Sequence, residues 1–179
     1  YAAVANANHM AVWGGADPLL GTNPLAFGVP SGTGPLVLDM ATTVVSYGTV
    51  KSHRLQGKPL PEGWMVNTKD GSPLTDPARS SEGVLLPIGG YKGYGHGLMF
   101  GILAGTRNGA AFGRDTIDFN ADFTTPTNTG QFVVAIDVAA FLDLEAFKHE
   151  IDRPWDTMKS SPLLPGFEVL AVERVRLLS

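Results

Sequence analysis

The sequence predicts an α/β domain, on three observations. Short apolar, strand-like runs bounded by turn residues recur at 25–29, 35–39, 83–90 and 131–136. Residues 94–105, "YGHGLMFGILAG", have the apolar density of a buried helix. Asp137 follows the last strand-like run and precedes apolar residues at helical spacing, the pattern of a capped helix.

Taken in order, "LAFGV" at 25–29 and 35–39 flank a Pro-Ser-Gly-Thr-Gly turn, so the two runs are expected to pair antiparallel. "MATTVVSYGTVKSHRLQG" carries apolar residues at Val44, Tyr47 and over 50–55, which predicts a helix beginning near Ala41. Its β-branched Thr-Thr-Val-Val run argues the other way. Residues 57–77 hold Pro59, Pro61, Gly63, Asp70-Gly71 and Pro73, which leave little room for regular structure. Trp64, Met65 and Val66 are expected to anchor this loop by burial. In the helix of 94–105, Leu98, Ile102 and Leu103, with Met99 beside them, are expected to face the core. Tight packing is expected to explain Gly101, since glycine weakens an exposed helix by about 1 kcal/mol against alanine. Residues 131–136 read as a β-branched strand. Asp137 then caps a helix whose core face carries Phe141, Leu144, Phe147 and Ile151, and Pro154 ends it or follows its end closely. No internal repeat or low-complexity segment appears.

Composition narrows the function. The chain has 179 residues, 44% of them hydrophobic, enough for one core. Its formal charge is −4 with no block of like charge, so neither a nucleic-acid footprint nor a polybasic membrane patch is present. No apolar stretch reaches the roughly 20 residues that span a bilayer. With no cysteine, disulfide and thiolate chemistry are excluded, which suits a reducing, cytoplasmic setting. The opening "YAAVANANHMAVWGG" lacks an initiator Met and a signal-type core, and is expected to be internal to a longer protein.

Two stretches carry candidate chemistry. "LLPIGGYKGYGHGL" places Lys92 among glycines where one apolar run passes into another. It fails the dinucleotide fingerprint G-x-G-x-x-G, because Leu98 stands where the third glycine belongs. It also fails the phosphate loop, because Gly93 follows Lys92. What remains is a turn at a helix N-terminus that offers free N–H groups and a positive charge to an anion, or simply a corner with a solvated lysine. In "LDMATT", Asp39 ends an apolar strand before small and hydroxyl residues, so it either bonds a ligand or caps a helix. The four histidines lack ligand spacing, "DTIDFNADF" misses the calcium-loop pattern, and no G-x-S-x-G elbow occurs.

"WGGADPLLGTNPLAFGVP", "LVLDMATT", "PLPEGWMVNTKDGSPLTDP", "LLPIGGYKGYGHGLMFGILAG" and "GQFVVAID" occur in this order. Together they resemble the type 2 malate/L-lactate dehydrogenase family, which includes ureidoglycolate dehydrogenase, diketogulonate reductase, sulfolactate dehydrogenase and piperideine-carboxylate reductase. The resemblance runs from Tyr1 to about Val169. It implies hydride transfer between NAD or NADP and a small 2-oxo or 2-hydroxy acid or related imine. It also implies a layered α/β cofactor domain with a mixed sheet, not the doubly wound Rossmann fold, and a homodimer or larger assembly. On this basis residues 1–152 are expected to form the cofactor-binding domain and 153–179 a divergent tail.

The resemblance assigns cofactor contacts to Ala41, Thr42 and Thr43, with Asp39 and Met40 lining the same pocket. It places Lys92 and the adjacent Tyr91 at the cofactor, and His9 where the family often has a serine. Asp39 and Lys92 are thereby expected to stand on two walls of one cleft. No catalytic residue is assigned, because the family's acid/base histidines would precede Tyr1. After "PLLPGFEVL" the tail departs from the family's last cofactor loop. The alternative is a non-catalytic remnant that binds a dinucleotide or only self-associates.

Overall fold

β-Branched and apolar runs take up the extended segments, and two small sheets result. The computed structural model describes residues 2–4, by their backbone, and 7–165. The chain begins with β1 (Ala2–Val4), β2 (Asn8–Ala11) and β3 (Pro18–Gly21). The predicted hairpin follows as β4 (Leu25–Val29) and β5 (Leu36–Met40), antiparallel with Leu25 opposite Met40 and Val29 opposite Leu36. β6 (Met65–Asn67), β7 (Gly83–Leu85) and β8 (Gln131–Val133) complete the strands. One sheet has the order β5-β4-β1-β8 and is antiparallel; the other, β3-β2-β7-β6, is mixed, with β2 parallel to β7. The expected mixed sheet is therefore present. β6 lies in the segment expected to be irregular. Met65 is buried there, and the Val66 and Val84 backbones pair.

The first helix starts later than the sequence predicts. Thr42 donates its backbone N–H to Thr22 O, accepts from Ile88 N–H, and Val44 donates to Leu86 O, so the β-branched run stays extended. Helix α1 (Tyr47–Gln56) begins only at Ser46, whose hydroxyl accepts from Thr49 N–H, and Gly57 closes it at φ 64°. Val45, Val50, Leu60, Met65, Leu74 and Leu85 form the main core, with Tyr47 and Trp64 packed on it. Of the three expected anchors Met65 is buried, while Trp64 and Val66 are half-buried.

Helix α2 (Tyr91–Ala104) forms where predicted but buries the opposite kind of residue. Gly93, Gly97, Gly101 and Ala104 are buried; Met99 and Ile102 are 51% and 38% exposed, and Leu98 and Leu103 are half-buried. The reason is distance. A Cβ at Gly97 would stand 2.9 Å from both Thr42 Oγ1 and Met10 Cε, and one at Gly101 would meet the Phe112 ring. The helix lies so close to its neighbours that only bare backbone fits, which also accounts for Gly101.

Four expectations near the C-terminus are corrected. β8 stops at Val133, short of 136. Asp137 caps a single 3-10 turn, Val138–Ala140, while Asp143 caps helix α3 (Leu144–Lys159). Pro154 lies inside α3, not at its end. No residue of α3 is buried, so the helix gives up a hydrogen bond at Pro154 without giving up packing. Phe141 is 77% exposed, and Leu144, Phe147 and Ile151 are not in the core. The boundary expected after residue 152 falls within α3, and the tail from 166 to 179, "AVERVRLLS" included, lies outside the described residues, as does Tyr1. Among the described residues no helix is long and apolar enough to cross a membrane.

Candidate functional site

At the end of β5 the chain must leave the sheet, and the first turn of α1 begins seven residues after Met40. Between these two ends opens a cleft of about 420 Å³. His9 from β2 and Asp39, Met40 and Ala41 from the end of β5 line it, with Thr22 and Pro24 beside them. Ser46, Tyr47, Gly48 and Lys51 of α1 form another wall, and Phe119 and Asn120 reach in from the loop after Gly113–Asp115. The helix ladder does not use the amides of Tyr47 and Gly48, so the cleft is bordered by the positive end of α1.

Asn120 organises one side. Lys51 Nζ donates to its Oδ1, so its amide nitrogen faces His9 and donates to Nε2 at 3.2 Å. The same nitrogen donates to Asp118 Oδ1 at 2.9 Å. His9 also stacks flat on Tyr47, with ring centroids 3.7 Å apart and planes 2° from parallel. A ring nitrogen that accepts a hydrogen bond is unprotonated, so this arrangement holds His9 neutral. Burial lowers its pKa below the ordinary 6.5, Asp118 opposes that shift, and Lys51 adds to it. The native state therefore binds the proton less readily than the unfolded chain. Stability from this group is complete above about pH 6.5 and falls as pH drops below it. His9→Asn is expected to flatten part of the decline in melting temperature between pH 7 and 5; an unchanged slope would refute a neutral, buried His9.

The structure divides the residues assigned from sequence into three groups. His9, Asp39, Met40 and Ala41 line the cleft. Thr42 and Thr43 are buried behind it, and their hydroxyls are taken, donating to Thr22 O at 2.9 Å and Val45 O at 2.7 Å. Tyr91 and Lys92 are exposed at the start of α2 and are not part of the lining; Tyr91 meets Trp13 edge-on at 6.4 Å. The bend before them, with Gly89 and Gly90 at φ 60° and 65°, is nonetheless tied to the strand end by Ile88 N–H donating to Thr42 O at 3.0 Å. His96 is exposed on α2 and stacks near Phe100, away from the cleft lining. Among the described residues no three acidic or histidine side chains converge as a metal site. Sequence reasoning missed Ser46, Tyr47, Lys51, Phe119 and Asn120. Ser46 carried a signal in its Ser-x-x-Thr cap pattern; Asn120 carried none beyond lying in an acidic, aromatic stretch.

The family description malate/L-lactate dehydrogenase matches residues 1–173. The chain belongs to the malate/L-lactate dehydrogenase family. It is 39% identical to a Delta(1)-pyrroline-2-carboxylate reductase of Agrobacterium fabrum over 92% of its own length and 45% of that protein's. It is 36% identical to an L-sulfolactate dehydrogenase of Methanothermobacter thermautotrophicus, over 91% of this chain and 48% of the relative. The solved sulfolactate dehydrogenase of Methanocaldococcus jannaschii superposes with a TM-score of 0.81 at 35% identity, over 94% of this chain and 48% of that one. The chain spans about half the length of the curated relatives it matches. This member of the malate/L-lactate dehydrogenase family is thus similar to part of each relative, and the family match spans β5 and α1.

Proposed function

We propose that this chain forms the cofactor-binding part of an NAD- or NADP-dependent oxidoreductase acting between a small 2-hydroxy acid and its 2-oxo form. Family membership supports the reaction class. The observation that carries the cofactor reading is the cleft at the N-terminus of α1. The residues there suit a dinucleotide. The first amides of α1 and the Lys51 ammonium offset diphosphate charge. The Asp39 carboxylate accepts from ribose hydroxyls, and the Phe119 ring, 44% exposed at the rim, offers a stacking face. When bound, the nicotinamide supplies or accepts the hydride.

In this reading residues 1–152 carry the site, Thr42 and Thr43 support Ala41 from behind, and 153–179 form a tail outside it. The assignment of Tyr91 and Lys92 rests on the family resemblance alone. Reduction of a carbonyl leaves an alkoxide that needs a proton, and a positioned acid is worth roughly 10²–10⁴-fold. We assign no residue of this chain as that acid, so the chain alone is expected to bind the cofactor and turn it over slowly or not at all. Trp13, Tyr91 and Met99 present large exposed apolar surface, which supports a homodimer or larger assembly.

Titration of the purified chain with NADH and NADPH, followed by nicotinamide fluorescence, tests the reading, with light scattering on the same sample for assembly. Saturable binding is expected, weakened about tenfold or more in Asp39→Ala through loss of hydrogen bonds to a charged group. Flat titrations with both nucleotides would sink it. Binding without absorbance loss when pyruvate or oxaloacetate is added favours a binding-only chain.

A further inference from the structure

Beside the cofactor cleft lies a second one of about 380 Å³, and the two share His9, Tyr47, Lys51 and Asn120. Beyond the shared wall it is lined by Arg54 and by the hydroxyls of Ser80 and Ser81, with Asp118 at its edge. Tyr47, Lys51 and Arg54 stand at i, i+4 and i+7, on one face of α1, so a single helix face passes from one cleft to the other. Neither Lys51 nor Arg54 has an ion-pair partner among the described residues. The Lys51 ammonium is held by the neutral Asn120 amide oxygen, and Arg54 is exposed. One carboxylate, Asp118, faces these two cations, and one of its oxygens already accepts from Asn120. His9 is neutral and adds no charge. The cleft therefore offers a surplus of positive charge and two hydroxyl donors, which suits a phosphate monoester.

Position decides which phosphate. At 1.5 Å per residue, Lys51 lies about 4.5 Å and Arg54 about 9 Å along the helix from Gly48. A dinucleotide whose diphosphate sits at the α1 N-terminus has its adjoining ribose over that interval. We infer that the second cleft, through Arg54, Lys51 and the Ser80–Ser81 hydroxyls, receives a phosphate on the cofactor's adenosine ribose and so selects NADP over NAD. The inference rests on the proposed cofactor reading and goes further by choosing between the two cofactors. Ser80 is buried in a 3-10 turn, Pro77–Glu82, so one hydroxyl donor stands on ordered backbone.

The test is a fluorescence titration of the full chain with NADPH and with NADH, repeated for Arg54→Ala and Arg54→Lys. Competition by adenosine 2′-monophosphate, adenosine 5′-monophosphate and malate runs alongside. Arg54 is exposed, so both variants are expected to fold, and circular dichroism checks that they do. The expected result is NADPH bound about tenfold or more tightly than NADH, a ratio that collapses in Arg54→Ala and partly returns in Arg54→Lys. Adenosine 2′-monophosphate should compete better than the 5′ isomer, and only while Arg54 is present. Equal affinities in the unaltered chain would overturn the inference and leave the cofactor reading standing. So would a loss in Arg54→Ala that is the same for both nucleotides. Competition by malate that depends on Arg54 would reassign the subsite to the substrate acid and overturn it equally. If neither nucleotide binds, the inference falls together with the cofactor reading.

Discussion

Gly93→Ala is expected to destabilise the fold by roughly 3 kcal/mol, at the upper end of overpacking costs. Intrinsic propensity points the other way, since alanine in place of a helical glycine ordinarily gains about 1 kcal/mol. Packing decides the sign. A Cβ on Gly93 would fall onto the Ile88 carbonyl oxygen, 2.7 Å from its amide nitrogen and 2.8 Å from its Cγ2. Two of these three atoms are backbone, so no rotamer change removes the clash. Moving Ile88 strains its hydrogen bond to Thr42 O, the tie between the end of β5 and the bend before α2. Gly95 is the control on the same helix: nothing stands within 4 Å of its added Cβ. Gly95→Ala is expected to be neutral or stabilising by up to about 1 kcal/mol. Urea denaturation of both variants measures the contrast, and stabilisation by both would show that helix propensity, not contact, governs this face.

Asn23→Ala is expected to cost about 2–3 kcal/mol. Asn23 is 1% exposed, and its Nδ2 donates to Gly97 O at 2.7 Å, joining the β3–β4 connection to α2. It is also the one non-glycine residue with positive φ among the described residues, at 32°. Asparagine tolerates that region through local hydrogen bonding, whereas alanine there costs roughly 1–2 kcal/mol. Loss of the buried hydrogen bond adds about 1 kcal/mol or more. Asn23→Gly separates the two contributions, because glycine relieves the backbone and still lacks the amide. The glycine variant is expected at about half the loss of the alanine variant by thermal melting. Equal losses for both would mean that the backbone conformation contributes nothing.

The same residues show how far the site was legible. Asp39 stood out because a polar group closing an apolar strand is a local event, the family resemblance added Met40 and Ala41, and the structure puts all three on the cleft. His9 came from the family resemblance and also lines it. The start of α1 was misplaced because the Thr-Thr-Val-Val run meets partners far away in sequence, Thr22 on one side and the 86–88 stretch on the other. The face of α2 was misjudged because large apolar residues ordinarily turn inward; here the close approach of Thr42, Met10 and Phe112 leaves room only for glycine. Lys51, Phe119 and Asn120 carry no local mark of a site. They become one when residues 69 positions apart in the chain share a hydrogen bond.

By itself the sequence determined the α/β class, the β4–β5 hairpin, the existence of α2 and the membership of its motifs in one family. Each of these follows from short-range periodicity, turn chemistry or motif order. Tertiary structure alone decided which face of α2 is buried, where α1 begins, and how His9 is held neutral between Tyr47 and Asn120. It also decided that the α1 face carrying Lys51 and Arg54 runs from one cleft into the next. The physical reason is common to all of these. Burial, close approach and charge pairing depend on what packs against a residue, and those neighbours come from distant parts of the chain.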